Sequence, residues 1–219
     1  MSKKIVKFYD DFASYYDQEQ ESENFRFVRV PEQELILSYI NKVLKKTDSV
    51  LEIGAGTGRF TLEAAPLVKE ITALDISGKM LEKLNEKATS KNIKNIELVS
   101  GDFLEVQFNK KFDVVMSFSA IEYIKDSEAL FSKISTLTNE NGSLLITTAH
   151  DTFFRWWGRF GNFIRQGVFM NAYSKKKMKY LLEKNGFEVI ELKDLCLKNF
   201  FIKGILLFVY AKKGVCKLG

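Results

Sequence analysis

Three glycines alternate with other residues at Gly54, Gly56 and Gly58, directly after the apolar run Val50-Leu51-Glu52-Ile53 and directly before Arg59-Phe60-Thr61-Leu62. A turn without Cβ atoms lets backbone N–H groups approach a ligand closely, and a helix starting behind it aims its free N–H groups at the same point. The chemistry this suits is the holding of a nucleotide-bearing cofactor. The dinucleotide pattern Gly-x-Gly-x-x-Gly calls for a third glycine at position 59, where the chain has Arg59, so a nicotinamide cofactor is disfavoured. Glu52 points the same way: a carboxylate beside a pyrophosphate is repelled, whereas one beside an ammonium or sulfonium is attracted.

Two further acids follow apolar runs. Asp75 closes Ile71-Thr72-Ala73-Leu74, about twenty residues beyond the glycines, where a carboxylate can accept both hydroxyls of a ribose. It also reads as a helix cap, because Asp75-Ile76-Ser77 precedes the periodic run Met80, Leu81, Leu84, Ala88, and Asp and Ser both favour caps. Asp102 and Phe103 close Ile96-Glu97-Leu98-Val99-Ser100-Gly101. There a carboxylate can accept from an exocyclic amine and a phenyl ring can cover a base. Asp102 beside Gly101 equally reads as a turn residue.

In this order and spacing, the pattern Glu52-x-Gly54-x-Gly56-x-Gly58, the acids at 75 and 102 and the segment Phe112 to Ile124 resemble the motifs of the S-adenosylmethionine-dependent methyltransferases of the Rossmann-like class. The likeness is most specific over 48–126. Tyr9-Asp10, Ala13 and Tyr16-Asp17 are similar to the opening of many small-molecule members of that family. The resemblance implies an α/β, Rossmann-like three-layer sandwich with a seven-stranded, mostly parallel sheet of order 3-2-1-4-5-7-6 and an antiparallel last strand. N-terminal helices and a cap insert after the fifth strand complete it. It implies S-adenosyl-L-methionine as methyl donor and S-adenosyl-L-homocysteine as product. Glu52, Gly54, Ala55, Gly56 and Gly58 would then hold the methionine end, Asp75 and Ile76 the ribose, and Asp102 and Phe103 the adenine. Ser117 would stand near the methyl end, and Tyr16 would fold over the cofactor.

Methyl transfer asks mainly that a nucleophile be held in line with the sulfonium methyl, and a base is needed only where the acceptor must lose a proton. The one histidine, His150, follows the fifth expected strand at the edge where open α/β sheets bind ligands, and a neutral imidazole suits the task. An isolated histidine at a strand end is also commonly structural. Glu122 and Tyr123, after the fourth strand, are alternative bases, with Tyr173 a further one.

The elements that must position these groups alternate along 219 residues with 46% hydrophobic content, without repeats or low-complexity linkers, which fits one catalytic domain over 1–219. Its parts are a helical cap (1–47), a cofactor core (48–150), a lid (151–173) and a closing helix and strand pair (174–219). Helices are expected from Ile5 to Tyr16, after Pro31 through Leu44, from Ser127 to Leu137, and behind Ser174 as N-cap through Lys184. Strands are expected at Ser143 to Ala149, Phe187 to Leu192 and Ile205 to Ala211, and the acidic stretch Asp17 to Asn24 reads as a solvated loop. Cys196 and Cys216 show no metal-ligand spacing, so no metal is expected. No run reaches membrane-spanning length and the N-terminus lacks a secretory pattern, so a cytoplasmic location is expected.

The segment 151–173 carries both tryptophans, Trp156 and Trp157, with Phe160 and Tyr173. Three readings fit it: a cap packed on the core, an aromatic lid over a ring-bearing or apolar substrate, or an interfacial helix at 153–170 on an anionic membrane. It could also bury itself in a second copy of the chain. Lys175, Lys176, Lys177 and Lys179 crowd a helix N-terminus, where the macrodipole disfavours cations, and the net charge is +5. The place after the fourth strand reads Ser117-Phe118-Ser119-Ala120 rather than Pro-Pro-aromatic, and neither cysteine stands where RNA cytosine enzymes need one. Nucleic acid is therefore not the expected partner. The expectation is transfer of a methyl group to a small hydrophobic or aromatic acceptor, on oxygen or carbon. The alternatives are a protein or RNA methyltransferase using the basic lid, and a cofactor-binding module without turnover.

Overall fold

The computed structural model describes residues 3–151, 170–196 and 203–214. Two short helices, α1 (Lys3–Phe12) and α2 (Tyr16–Glu21), and the long α3 (Glu23–Val43) precede the first strand. The sheet is built from β1 (Ser49–Ile53), β2 (Glu70–Asp75), β3 (Ile96–Ser100), β4 (Phe112–Phe118), β5 (Thr138–Ala149), β6 (Phe187–Cys196) and β7 (Lys203–Lys213). The connecting helices are α4 (Thr61–Ala64), α5 (Gly78–Ser90), α6 (Ser127–Leu137) and α7 (Lys175–Lys184). The order is β3-β2-β1-β4-β5-β7-β6, parallel from β3 through β5, with β7 antiparallel to both neighbours.

Alternation along the strands sends successive side chains to opposite faces. Leu51, Val115, Leu144 and Val209 pack on one face against Leu130, Phe131 and Ile134 of α6 and Met178, Leu181 and Leu182 of α7. Val50, Val114, Leu145 and Phe208 pack on the other against Ile36, Tyr39, Ile40 and Val43 of α3. Leu81, Leu84 and Ala88 of α5 cover Ala73. Three helices start where a side-chain oxygen accepts an N-terminal N–H: Ser77 from Met80 N at 3.2 Å, Asp126 from Ala129 N at 3.0 Å and Ser174 from Lys177 N at 3.2 Å.

The boundaries differ from expectation in four places. The stretch Asp17 to Asn24 is no loop: α2 and the start of α3 occupy it. Pro31 lies inside α3 instead of opening it. The missing proline N–H costs one bond, but Arg29–Glu32 pairing and the Arg59–Gln33 hydrogen bond act across that turn. Asn141-Gly142 does not precede β5; it lies within the strand, with Asn141 at φ +61, where the pairing with β4 shifts register. The hairpin of β6 and β7 is longer at its ends than the apolar runs indicate.

A side chain packed in the core from β5 and the exposed cap of α6 should differ in cost. Leu144→Ala is expected to lower stability by about 2–5 kcal/mol, and Asp126→Ala by about 0.5–2 kcal/mol, both read from urea unfolding midpoints.

Candidate functional site

β1 and β2 lie side by side, with Glu52 opposite Ala73 and Ile53 opposite Leu74, so the turn after one strand and the acid ending the other meet at the carboxyl edge of the sheet. Gly54 N and Ala55 N both donate to Leu74 O, at 2.8 and 3.0 Å. Gly56 N donates to Asp75 Oδ2 at 2.8 Å, and Ser77 N to Asp75 Oδ1 at 2.9 Å. Ser77, not Asp75, caps α5. Burial raises the Asp75 pKa, with the Ser77 and Gly56 N–H groups opposing it.

The three glycines serve different ends. All have positive φ, at 78°, 57° and 87°. A Cβ on Gly58 would lie 2.1 Å from Leu84 Cδ1 and one on Gly54 2.2 Å from Ala120 Cβ, so both let protein pack against the turn. A Cβ on Gly56 would meet nothing within 4 Å, so here the turn faces open space. That space is a cleft lined by Gly54, Gly56, Asp75, Ile76, Phe103, Ser119, Ala120 and Tyr123 on the core side. Ile5, Tyr9 and Tyr16 close it from the N-terminal helices.

Those helices are fastened to the two turns. Asp10 accepts from Ser77 Oγ at 2.5 Å, and Asp17 from Thr57 Oγ1 at 2.6 Å. Lys87 of α5 pairs with Asp17 at 2.5 Å and donates to Thr57 O at 3.1 Å. Burial pushes the Tyr16 hydroxyl pKa up, and burial together with Tyr123 pushes that of Tyr9 up further; the rings of Tyr9 and Tyr123 meet edge-on at 5.7 Å. A residue with no sequence signal of its own, Arg29 of α3, stands next to Tyr16. Burial works against its charge, but Glu32 more than offsets this, and its buried Nε has no hydrogen-bond partner. The only hint of it is a pair three residues apart, Arg29 and Glu32, just ahead of an apolar helical face.

The cavity wall does not include every residue singled out by sequence. Glu52 lies beneath it, 2% exposed, accepting from Thr61 Oγ1 at 2.5 Å. Burial, opposed by the Thr61 bond and increased by Asp75, raises its pKa to about 8. Ala55 is buried against β2. Ser117 donates to Ile53 O at 2.7 Å and ties β4 to β1. Asp102 accepts from Leu104 N at 3.0 Å in a turn, while its neighbours Gly101 and Phe103 reach the wall. Glu122 is buried and accepts from Thr148 Oγ1 at 3.1 Å. The His150 ring turns away from β4: its Nδ1 lies 3.1 Å from Gly204 O and 3.2 Å from Asp194 Oδ1, in the β6–β7 hairpin. Tyr173 is fully buried, with its hydroxyl 3.1 Å from Ser127 Oγ, because its backbone bridges to His150 and carries it into the core. Trp156, Trp157 and Phe160 lie outside the described residues. Among the described residues no cluster of His, Cys, Asp and Glu could hold a metal, and no helix is long and apolar enough to cross a membrane.

A family model described as a methyltransferase domain matches residues 29–186. The chain belongs to that family. It is an S-adenosylmethionine-dependent methyltransferase with the class I, Rossmann-like fold. This methyltransferase is 26% identical over 155 residues to an uncharacterized methyltransferase of Staphylococcus carnosus, covering 68% of this chain and 70% of that protein. It is 26% identical to a malonyl-[acyl-carrier protein] O-methyltransferase of Anoxybacillus flavithermus, covering 68% of this chain and 54% of that one. Its fold matches magnesium protoporphyrin IX methyltransferase of Synechocystis with a TM-score of 0.76 at 16% identity, covering 96% and 98% of the two chains.

The residues present fit the cofactor. When bound, S-adenosylmethionine supplies an electrophilic methyl group on a sulfonium sulfur. The open face of Gly56 would give backbone room for it, Asp75 would offer carboxylate oxygens to ribose hydroxyls, and Phe103 an apolar wall to a base. The free Arg29 Nε–H would suit a carboxylate. Tyr9 and Tyr16 would shield it from water.

The raised Glu52 pKa fixes a sign. The folded state holds this proton more tightly than the unfolded chain, so its contribution to stability is full below about pH 4.5 and is lost as pH rises toward about 8. Glu52→Gln should therefore flatten the fall in unfolding free energy between pH 5 and 8 by on the order of 3 kcal/mol, measured as the difference between wild-type and variant denaturation curves.

Proposed function

We propose that this methyltransferase modifies a small hydrophobic or aromatic acceptor, on oxygen or carbon rather than nitrogen. The observation that carries this reading is the make-up of the cavity wall beyond Ala120: Ile5, Tyr9, Phe118, Tyr123 and Ile124 present rings and aliphatic side chains. Such a surface favours an apolar partner by burial and offers edge contacts to a ring.

The described residues on either side of 152–169 are held at this end of the sheet: Tyr173 N donates to Ala149 O at 3.0 Å, Asp151 N to Tyr173 O at 3.2 Å, and Asn171 N to Glu122 O at 2.7 Å. Asn171 Nδ2 adds a bond to Ile124 O at 2.6 Å. The malonyl-[acyl-carrier protein] relatives are named as O-methyltransferases, which favours oxygen as the atom attacked.

Proton handling follows from the groups at hand. Tyr9 and Tyr16 stay neutral at pH 7 because burial raises their pKa values, and Asp75 is engaged by two backbone N–H groups. His150 faces the hairpin and Glu122 is held by Thr148. Among the described groups none is set to take a proton, so the acceptor enters already ionised, as a carboxylate or an acidic phenol does, and the site's work is to hold it in line.

The test is formation of S-adenosylhomocysteine across a panel of carboxylic acids, phenols and amines, with pH–rate profiles for the best acceptor. The expected result is turnover of an oxygen acceptor, kcat/KM that follows the acceptor's own ionisation, and a His150→Gln variant within about threefold of wild type. A loss above a hundredfold in that variant, with a rate-controlling pKa near about 6.5, would restore His150 as base. Turnover of amines alone would replace the acceptor class.

A further inference from the structure

The core face of α3 carries Ile36, Tyr39, Ile40 and Val43, all buried. One turn earlier on the same face, where that spacing calls for another apolar side chain, stands Glu32, 1% exposed. A buried ionised group is costly, and a packed apolar side chain at such a place is commonly as stabilising or more so. Stability alone therefore does not account for a carboxylate here.

Its contacts do. Glu32 Oε1 accepts from Ser119 Oγ at 2.9 Å and from Thr147 Oγ1 at 2.8 Å, so the loop after β4 and the end of β5 fix the carboxylate from below. Its other oxygen, Oε2, pairs with Arg29 Nη1 at 2.7 Å. Ser119 is in turn held in a left-handed conformation, φ +54, of the kind that persists in a non-glycine residue where its surroundings over-determine it. The carboxylate is thus a rigid bracket between sheet and helix, with one face left for Arg29. Arg29 keeps its buried Nε free beside Tyr16, while its carbonyl accepts from Arg59 Nη2 at 3.2 Å. Guanidinium side chains are long and flexible, and a fixed carboxylate on one amine sets the direction of the remaining donors.

We propose that Glu32 is a positioning residue of the methyl-transfer site: anchored by Ser119 and Thr147, it aims the free edge of Arg29 at the carboxylate of the cofactor's amino-acid end. Glu32 touches no ligand itself. Arg29 makes the contact, and Glu32 acts through it. The inference rests on the cofactor and not on the acceptor, so it stands or falls apart from the acceptor class.

Glu32→Gln separates the two faces of the bracket. Its amide oxygen can still accept from Ser119 and Thr147, whereas its amide nitrogen cannot accept from Arg29. Two probes separate positioning from packing: S-adenosylhomocysteine, which carries the amino-acid carboxylate, and 5′-methylthioadenosine, which shares the adenosine and sulfur but lacks that carboxylate. Titration calorimetry of wild type, Glu32→Gln, Arg29→Met and the double variant should show S-adenosylhomocysteine binding weakened about tenfold in each single variant. The double variant should bind within about twofold of Arg29→Met alone, and 5′-methylthioadenosine affinity should stay within about twofold throughout. Equal weakening of both probes, additive losses in the double variant, or unchanged S-adenosylhomocysteine affinity in Glu32→Gln would each overturn the proposal. Should Arg29→Met fail to fold, Arg29→Lys, which keeps the charge and loses the fork, takes its place with the same expected pattern.

Discussion

The structure around the site depends on one carboxylate. Asp75 accepts Gly56 N–H with one oxygen and Ser77 N–H with the other, and so binds the glycine turn after β1 to the start of α5 after β2. Parallel pairing of the two strands brings these turns within reach, but pairing alone leaves their backbone amides without acceptors, which burial would penalise. One carboxyl side chain satisfies both, and burial pulls its pKa upward. The group that organises the turn is the one that would receive ribose hydroxyls, so site geometry and ligand recognition would share a single residue.

Around that centre the closure is largely polar. Asp10 and Asp17, from the N-terminal helices, reach Ser77 and Thr57, one hydroxyl on each of the two turns that Asp75 joins, and Lys87 closes the second contact. Ile5, Tyr9 and Tyr16 supply the apolar roof between them. Contacts of this kind, part-exposed and few, hold a cover in place more weakly than a packed core does. That is a suitable balance for a site that must admit one cofactor and release its product. On the opposite side Glu32 and Glu122, both buried, connect α3 and the loop after β4 to β5 through Thr147 and Thr148.

Much of this was legible in the sequence because it depends on short-range rules. Alternating glycines after an apolar strand, acids at strand ends and capping serines are local signals, and the order of the strands follows from the family they resemble. What failed to show depends on direction. His150 does stand at the carboxyl edge, but spacing does not say that its ring faces Gly204 and Asp194 across the hairpin. Tyr173 sits in the expected segment, yet a backbone bridge to His150 turns it into the core. Gly58 carries the motif, and spacing does not say that its missing side chain makes room for Leu84. Arg29 and Glu32 escaped notice because a buried ion pair on a helix reads, in sequence, like any solvated pair three residues apart. The helix across Pro31 was hidden for a related reason: contacts from the core override the local signal of a break.

If Asp75 makes this turn a site for the adenosyl cofactor, titration calorimetry of wild type and Asp75→Asn with S-adenosylhomocysteine and, separately, with NADH will show it. Wild type is expected to bind S-adenosylhomocysteine and not NADH, and the variant, folded by circular dichroism, to bind it at least about tenfold more weakly, a loss of about 1.4 kcal/mol or more. Undiminished binding by the variant, or binding of NADH in place of S-adenosylhomocysteine, would contradict it.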